Sequence, residues 1–238
     1  MLALTWLVDL VFPPRCPACA VRTPQVALCA RCLAAIVPAR SPLCSVCGEC
    51  FAGAGPDHLC SRCARRPPYF QRARACAVYG RDRESPLIDA LHRFKYERDV
   101  TLAPVLGAYL GDRCPLPIDH DVIVPVPLDL TRLRWRGFNQ AAMLAAALAR
   151  GTGRPVAARA LTRCRVTAPQ VGLGEEERRR NVAGAFAVRD HRAVDEKRVV
   201  LVDDVMTTGT TVNECAKMLR RAGAASVDVV VLARAADI

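Results

Sequence analysis

The chain has 238 residues, of which 52% are hydrophobic and 24% charged. That is enough apolar material for a packed core and excludes a disordered chain; the length suits one ordinary domain plus a small appended module. A formal net charge of +11 points to anionic partners, either phosphorylated small molecules or nucleic acid, without choosing between them.

Met1 to Phe12 is apolar but short. Asp9 interrupts it, Pro13-Pro14 closes it, and it has neither a positive flank nor a small-residue cleavage site. It is too short for a membrane span. Trp6, Leu7, Leu10 and Val11 suit one face of a docking helix, so residues 1–15 are expected as an N-terminal helix.

Nine of the 13 cysteines fall between Cys16 and Cys63, with only Cys76, Cys114, Cys164 and Cys215 beyond. A secreted disulfide scaffold would spread its bridges and need an export signal, so the reducing cytoplasm is the expected compartment. Four Cys-x-x-Cys pairs follow one another: Cys16/Cys19, Cys29/Cys32, Cys44/Cys47 and Cys60/Cys63. Two intervening residues let both thiolates of a tight turn face one metal, and two such turns complete a tetrahedron. Redox use explains one such pair but not four in series. The reading is a double zinc ribbon over residues 16–68, with two structural Zn2+ sites of four thiolates each and no open position for water. Sequential pairing of the turns fits the spacing, and an interleaved arrangement has the same ligands. Cys50 and His58 lie between ligands and read as bystanders. Arg62, Arg65 and Arg66 flank the last pair and read as a solvated surface leading into Pro67-Pro68, with a phosphate-contacting face as the rival. The domain boundary is expected at Tyr69.

Residues 69–238 alternate between strand and helix patterns. Strands are predicted over Ala75–Tyr79, Asp121–Val126, Arg198–Val202 and Ser226–Leu232, and helices over Pro86–Tyr96, Leu102–Leu110, Phe138–Arg150 and Val212–Arg221. That alternation predicts an α/β fold, a parallel sheet with helices on both faces, whose ligands bind at the carboxyl ends of the strands. After the run Val199-Val200-Leu201-Val202 come Asp203-Asp204-Val205-Met206-Thr207-Thr208-Gly209-Thr210-Thr211. The loop amides, the close approach Gly209 allows and the helix N-terminus make an anion site, leaving two carboxylates for sugar hydroxyls. No Gly-Lys-Ser/Thr follows, so this is not a Walker A loop.

This stretch resembles the phosphoribosyl-diphosphate loop of type I phosphoribosyltransferases. The wider chain resembles the ComF family of competence-associated proteins, through Pro125-Val126-Pro127, Arg136-Gly137-Phe138-Asn139-Gln140, the acidic loop, Phe94-Lys95-Tyr96, and Gln170 with Arg180-Asn181. The resemblance implies that Asp203 and Asp204 hold ribose hydroxyls while Thr207, Thr208, Gly209, Thr210 and Thr211 cradle the 5′-phosphate. Arg134, Arg136 and Gly137 would receive pyrophosphate with its Mg2+. It further implies a mobile loop from Gln170 to Asn181, with Arg180 as a modest catalytic candidate and Lys95 a weaker one whose rival reading is a surface lysine. The run Glu175 to Arg180 reads equally as a solvated helix of charge pairs.

Two functions follow from that resemblance. One is transfer of the ribosyl group to an acceptor that no residue set in the chain identifies. The other is a ligand-sensing scaffold that engages single-stranded DNA or a DNA-uptake helicase through its ribbons and basic surface. The chain stops at Ile238, just past the last predicted strand, so no C-terminal hood is expected and the zinc module is the candidate cover.

Overall fold

A computed structural model describes residues 12–80, 85–114, 120–165 and 174–235. The expected helix over 1–15 and the position of Gln170 fall almost wholly or wholly outside them.

Four strands form one parallel sheet: β1 (Arg72–Tyr79), β2 (Val122–Pro125), β5 (Arg198–Met206) and β6 (Ser226–Ala235), in the order β1-β6-β5-β2. β5 and β6 are apolar almost throughout and buried on both sides, as a parallel sheet requires. Alternate residues serve opposite faces. Val199 and Leu201 pack under α8 (Thr210–Arg221), whereas Val200 and Val202 face α3 (Pro86–His92), α4 (Leu102–Arg113) and α6 (Gln140–Thr152). Gly107 permits a close crossing of α4 and α6, since a Cβ there would lie 2.1 Å from that of Ala147.

Four features depart from the sequence reading. β5 runs on to Met206, so Asp203 and Asp204 lie within the strand and not after it. α3 continues through a π-helical turn, Arg93–Glu97. A short helix α5 (Leu130–Arg136) precedes Gly137, and a two-stranded antiparallel pair, β3 (Leu161–Arg163) with β4 (Phe186–Val188), packs beside α8. The charged run 175–182 is a helix, α7, consistent with the solvated-helix reading.

The cysteine segment straddles the sheet. Its two short helices, α1 (Ala30–Ala35) and α2 (Ser61–Arg65), each carry one ligand pair's second cysteine. The stretch between the ribbons pairs antiparallel with the edge strand β1: Val78 N donates to Val37 O (2.9 Å) and Ala39 N to Cys76 O (3.1 Å). One exposed edge is thereby covered. Cys16 and Cys32 then join the core on one face, and Cys44, Cys47, Cys60 and Cys63 join the core on the other. Among the described residues no helix is long and apolar enough to cross a membrane.

Overpacking at the α4–α6 crossing sets one test. Gly107→Ala forces the helices apart at a cost of about 1–3 kcal/mol. Calorimetry should show a melting point lowered by about 2–4 °C per kcal/mol in a chain of this size.

Candidate functional site

The thiol clusters are sequential. Cys16, Cys19, Cys29 and Cys32 form one foursome and Cys44, Cys47, Cys60 and Cys63 the other, with the sulfurs of each within 4.8 Å of one another. The Sγ atoms of Cys19 and Cys29 are 3.7 Å apart, and those of Cys47 and Cys60 3.8 Å. A tetrahedron with Zn–S bonds near 2.3 Å has edges of about 3.8 Å, so the donors fit Zn2+ as placed. Cys44 Sγ accepts from the amides of Cys47 and Cys60, both at 3.4 Å. Burial works against its thiolate, but those amides and that of Val46 outweigh it and bring the pKa down to about 6. Cys19, half-buried and hydrogen-bonded by the Val21 amide, is also lowered to about 6. Cys50 and His58 stand outside both foursomes; the His58 ring stacks on Phe51 at 4.0 Å.

A second cluster lies at the rim of the sheet. β2 stops pairing with β5 at Pro125↔Val202, while β6 continues to Met206↔Arg234. Asp203 and Asp204 therefore sit where β5 has lost one neighbour. Adjacent strand residues point to opposite faces. Asp204 is 4% exposed and forms a short ion pair with Lys95, whose backbone is in the π-helical turn. Burial is the largest influence on Lys95 and opposes its charge, yet Asp204 and Asp203 together hold the ammonium above its usual pKa. Asp203 keeps partial exposure and accepts from the Asp204 amide at 2.9 Å. Desolvation first, and the Asp204 charge second, push its carboxyl well above the usual range.

The π-helical turn sends three successive side chains to three uses. Phe94 is fully buried against Phe138, Lys95 reaches Asp204, and Tyr96 lies 5.6 Å beneath the Arg136 guanidinium. π-turns of this kind recur at functional sites. Arg136 is 6% exposed, donates to Gln140 Oε1 (2.6 Å), and keeps a buried Nε without a partner. Burial lowers its pKa, with Asp204 opposing. Among the described residues no carboxylate lies within ion-pair distance of it. The segment carrying Arg136 is tied to the rim because Asn139 donates to Val126 O (3.0 Å) while its own Oδ1 caps α6.

Beyond Met206 the chain turns through Gly209, in the left-handed region at φ 78°, into the N-terminus of α8. The hydroxyls of Thr208 and Thr210 meet at 2.7 Å. The structure thus gathers Asp203, Asp204, Lys95 and Arg136 near one rim, with Thr207, Thr208, Gly209, Thr210 and Thr211 continuing from it. Arg134 is exposed on α5 and Gly137 ends that helix at φ 87°. Arg180 is 78% exposed and pairs with Glu176 (3.7 Å), away from the carboxylates. Lys95 has a larger place than its surface-lysine reading allowed, and Gln140 and Tyr96 had no assigned role. The adjacency of Phe94-Lys95-Tyr96 was the available signal.

A double zinc ribbon thus precedes a sheet of the type I phosphoribosyltransferase kind. Residues 7–64 match the family model described as a double zinc ribbon domain, and residues 139–237 match the phosphoribosyl transferase domain. The DNA utilization protein YhgH of Escherichia coli (strain K12) is 37% identical over 202 residues, covering 80% of this chain and 84% of that protein. Competence protein F of Haemophilus influenzae is 34% identical over 186 residues, covering 74% and 78%. The chain belongs to the ComF family. Among solved structures, the glutamine phosphoribosylpyrophosphate amidotransferase from B. subtilis is 26% identical, covering 56% of this chain and 26% of that one, with a TM-score of 0.39.

Two tests follow from this geometry. Cys60→Ser should reduce zinc, read by plasma mass spectrometry, from two ions per chain to one and lower the melting point, because metal binding supplies folding energy here. The second concerns Asp203. A carboxyl whose pKa is raised on folding binds extra protons in the native state, so its stability contribution falls as pH rises above the unfolded value of about 4. Relative to the unaltered protein, unliganded Asp203→Asn should therefore gain melting temperature progressively from pH 4 to pH 7. A relative loss over that range would refute the charge repulsion.

Proposed function

We propose that this sheet rim binds 5-phosphoribosyl 1-diphosphate together with Mg2+, in the service of DNA uptake or utilisation in the reducing cytoplasm. The observation that carries the reading is the buried Arg136. It is a cation with an unpartnered Nε and no carboxylate partner within ion-pair distance among the described residues, near enough to Asp204 to feel its charge. Such a group favours an anion brought by a ligand.

The ligand's chemistry matches the order of groups. Its 5′-phosphate would meet the amides and hydroxyls from Thr207 to Thr211 at the start of α8. Its ribose hydroxyls would donate to Asp203, the more exposed acid, while Asp204 is held in place by its ion pair with Lys95. The diphosphate would lie toward Arg136, with Arg134 and Gly137 at the outer edge of that segment. Mg2+ neutralises the diphosphate when bound, and a nearby cation favours the charged form of Asp203. Displacement of pyrophosphate at the anomeric carbon needs positioning and charge stabilisation, not a protein nucleophile.

The second reading is a sensor that holds this ligand without turnover and engages single-stranded DNA or a DNA-uptake helicase. The net charge of +11, exposed Arg65 and Arg66, and the names of the DNA-utilization and competence relatives favour it.

Calorimetric titration of phosphoribosyl diphosphate with Mg2+ is expected to show saturable binding that Asp203→Asn/Asp204→Asn weakens at least a hundredfold, with zinc content unchanged. Retained affinity in that double variant would sink the site. Pyrophosphate release across a panel of acceptors then separates the two readings. No release with any acceptor, together with oligonucleotide binding that falls steeply with salt, favours the sensor.

A further inference from the structure

Between the second ribbon and the threonine-glycine loop lies a small cleft of about 80 Å³. A single water needs roughly 10–15 Å³ of such space, whereas drug-sized ligands occupy pockets of roughly 300 Å³ or more. The cleft therefore has room for several water-sized groups, enough for a tetrahedral oxyanion. Thr208, Gly209 and Thr210 line one side, and Arg62, Arg66 and Arg179 stand around the other. A fourth arginine, Arg234, lies at the back, and no carboxylate is among the lining residues. Arg62 is paired with Glu49 at 3.1 Å and Arg179 with Glu176, so two of the guanidinium groups are already oriented by partners outside the cleft.

The ribbon that brings Arg62 and Arg66 is fixed to the sheet at two points. Arg234, 3% exposed at the end of β6, donates to Cys47 O at 2.8 Å and lies 3.8 Å from Cys47 Sγ. Tyr69 N donates to Asn213 Oδ1 (2.7 Å), clamping the exit of the ribbon to the first turn of α8. The arginines are thus held against the loop on a scaffold whose shape depends on the metal. Phe70 and Met206 add apolar wall, which strengthens charge attraction by excluding water.

We infer that the second zinc ribbon is part of the ligand site: Arg66 and Arg179, backed by Arg62, close over the terminal phosphate of the sugar ligand from the side opposite Thr208–Thr210. The inference rests on the proposed sugar-phosphate reading of that loop and adds to it a set of ligand contacts supplied by the zinc module. It also replaces the solvated-surface reading of Arg62 and Arg66, since both residues line the same cleft as the loop.

The probe is ribose 5-phosphate, which carries only the phosphate in question, with phosphoribosyl diphosphate and a short oligothymidylate alongside. In the full chain, Arg66→Ala/Arg179→Ala should weaken both sugar phosphates at least tenfold with both zinc sites still filled. Arg66→Lys/Arg179→Lys should recover part of that loss. On the unaltered protein, ribose 5-phosphate should protect Arg66 and Arg179 from phenylglyoxal, read by peptide mass spectrometry, and leave exposed Arg150 unprotected. That measurement does not depend on any variant folding.

Unchanged sugar-phosphate affinity in the alanine variant, with no protection of either arginine, overturns the inference. The site reading survives that result if Asp203→Asn/Asp204→Asn still loses binding. A loss confined to phosphoribosyl diphosphate would put the arginines at the diphosphate end and also overturn it. A loss confined to the oligonucleotide would assign the cleft to a separate phosphate ligand and overturn it as well. If the unaltered protein binds neither sugar phosphate, the site reading itself falls and takes the inference with it.

Discussion

The ion pair between Lys95 and Asp204 is the constraint around which the rim is organised. Asp204 is 4% exposed, and a buried acid costs several kcal/mol unless a partner is delivered to it in good geometry. A regular α-helix over the whole predicted span would carry Lys95 round at a different angle. The π-helical turn Arg93–Glu97 re-aims it, and Phe94, fully buried one residue earlier, anchors that turn in the core. Tyr96, one residue later, becomes the surface beneath Arg136. One local irregularity therefore supplies the partner of a buried acid, the surface beneath a buried guanidinium and the packing between them.

The second organising fact is where the metal segment sits. A ribbon bound on one face of the sheet would leave the β1 edge open. Here the stretch between the ribbons hydrogen-bonds along β1, and each foursome is pressed into a different face of the core. The metal-dependent part and the sheet are consequently one packed body, with Arg93 donating to Pro17 O at 2.9 Å on one side and Arg234 to Cys47 O at 2.8 Å on the other. Loss of metal from the second foursome would be felt at the end of β6, whose Arg234 is the register partner of Met206, where the phosphate loop begins.

How much of this was legible depended on whether the signal was local. The apolar run Val199–Val202 announces a buried strand from its own composition, and the threonine-glycine sequence after it announces a turn into a helix, which Gly209 and α8 supply. The strand's continuation through Asp203 and Asp204 was not legible, because aspartate is depleted in strands and only pairing with β6 keeps these residues extended. Cysteine spacing identified the ligands and favoured the sequential grouping that the structure has; the pairing of Val37 and Ala39 with β1, between the two ribbons, is a tertiary fact. The β3–β4 pair escaped because its three-residue strands are too short for a period-2 pattern and a long connection separates them. Lys95 read only as a weak catalytic candidate because nothing in its neighbours announces a π-turn.

The unliganded rim holds two opposite electrostatic penalties at once. The Asp203 carboxyl is pushed toward its neutral form by burial and by Asp204, while the Arg136 guanidinium is pulled the same way by its own burial, with one donor left unpaired. They do not cancel each other, for among the described residues no ion pair joins them. A plain anion relieves only Arg136, and a plain polyol relieves only Asp203. On the proposed reading, a molecule with hydroxyls at one point and anionic oxygens at another meets both groups in a single binding event, with its Mg2+ offsetting the negative charge that the anion adds beside Asp203. Preference for a phosphorylated sugar over either fragment would then follow from this charge arrangement, before any shape complementarity is considered.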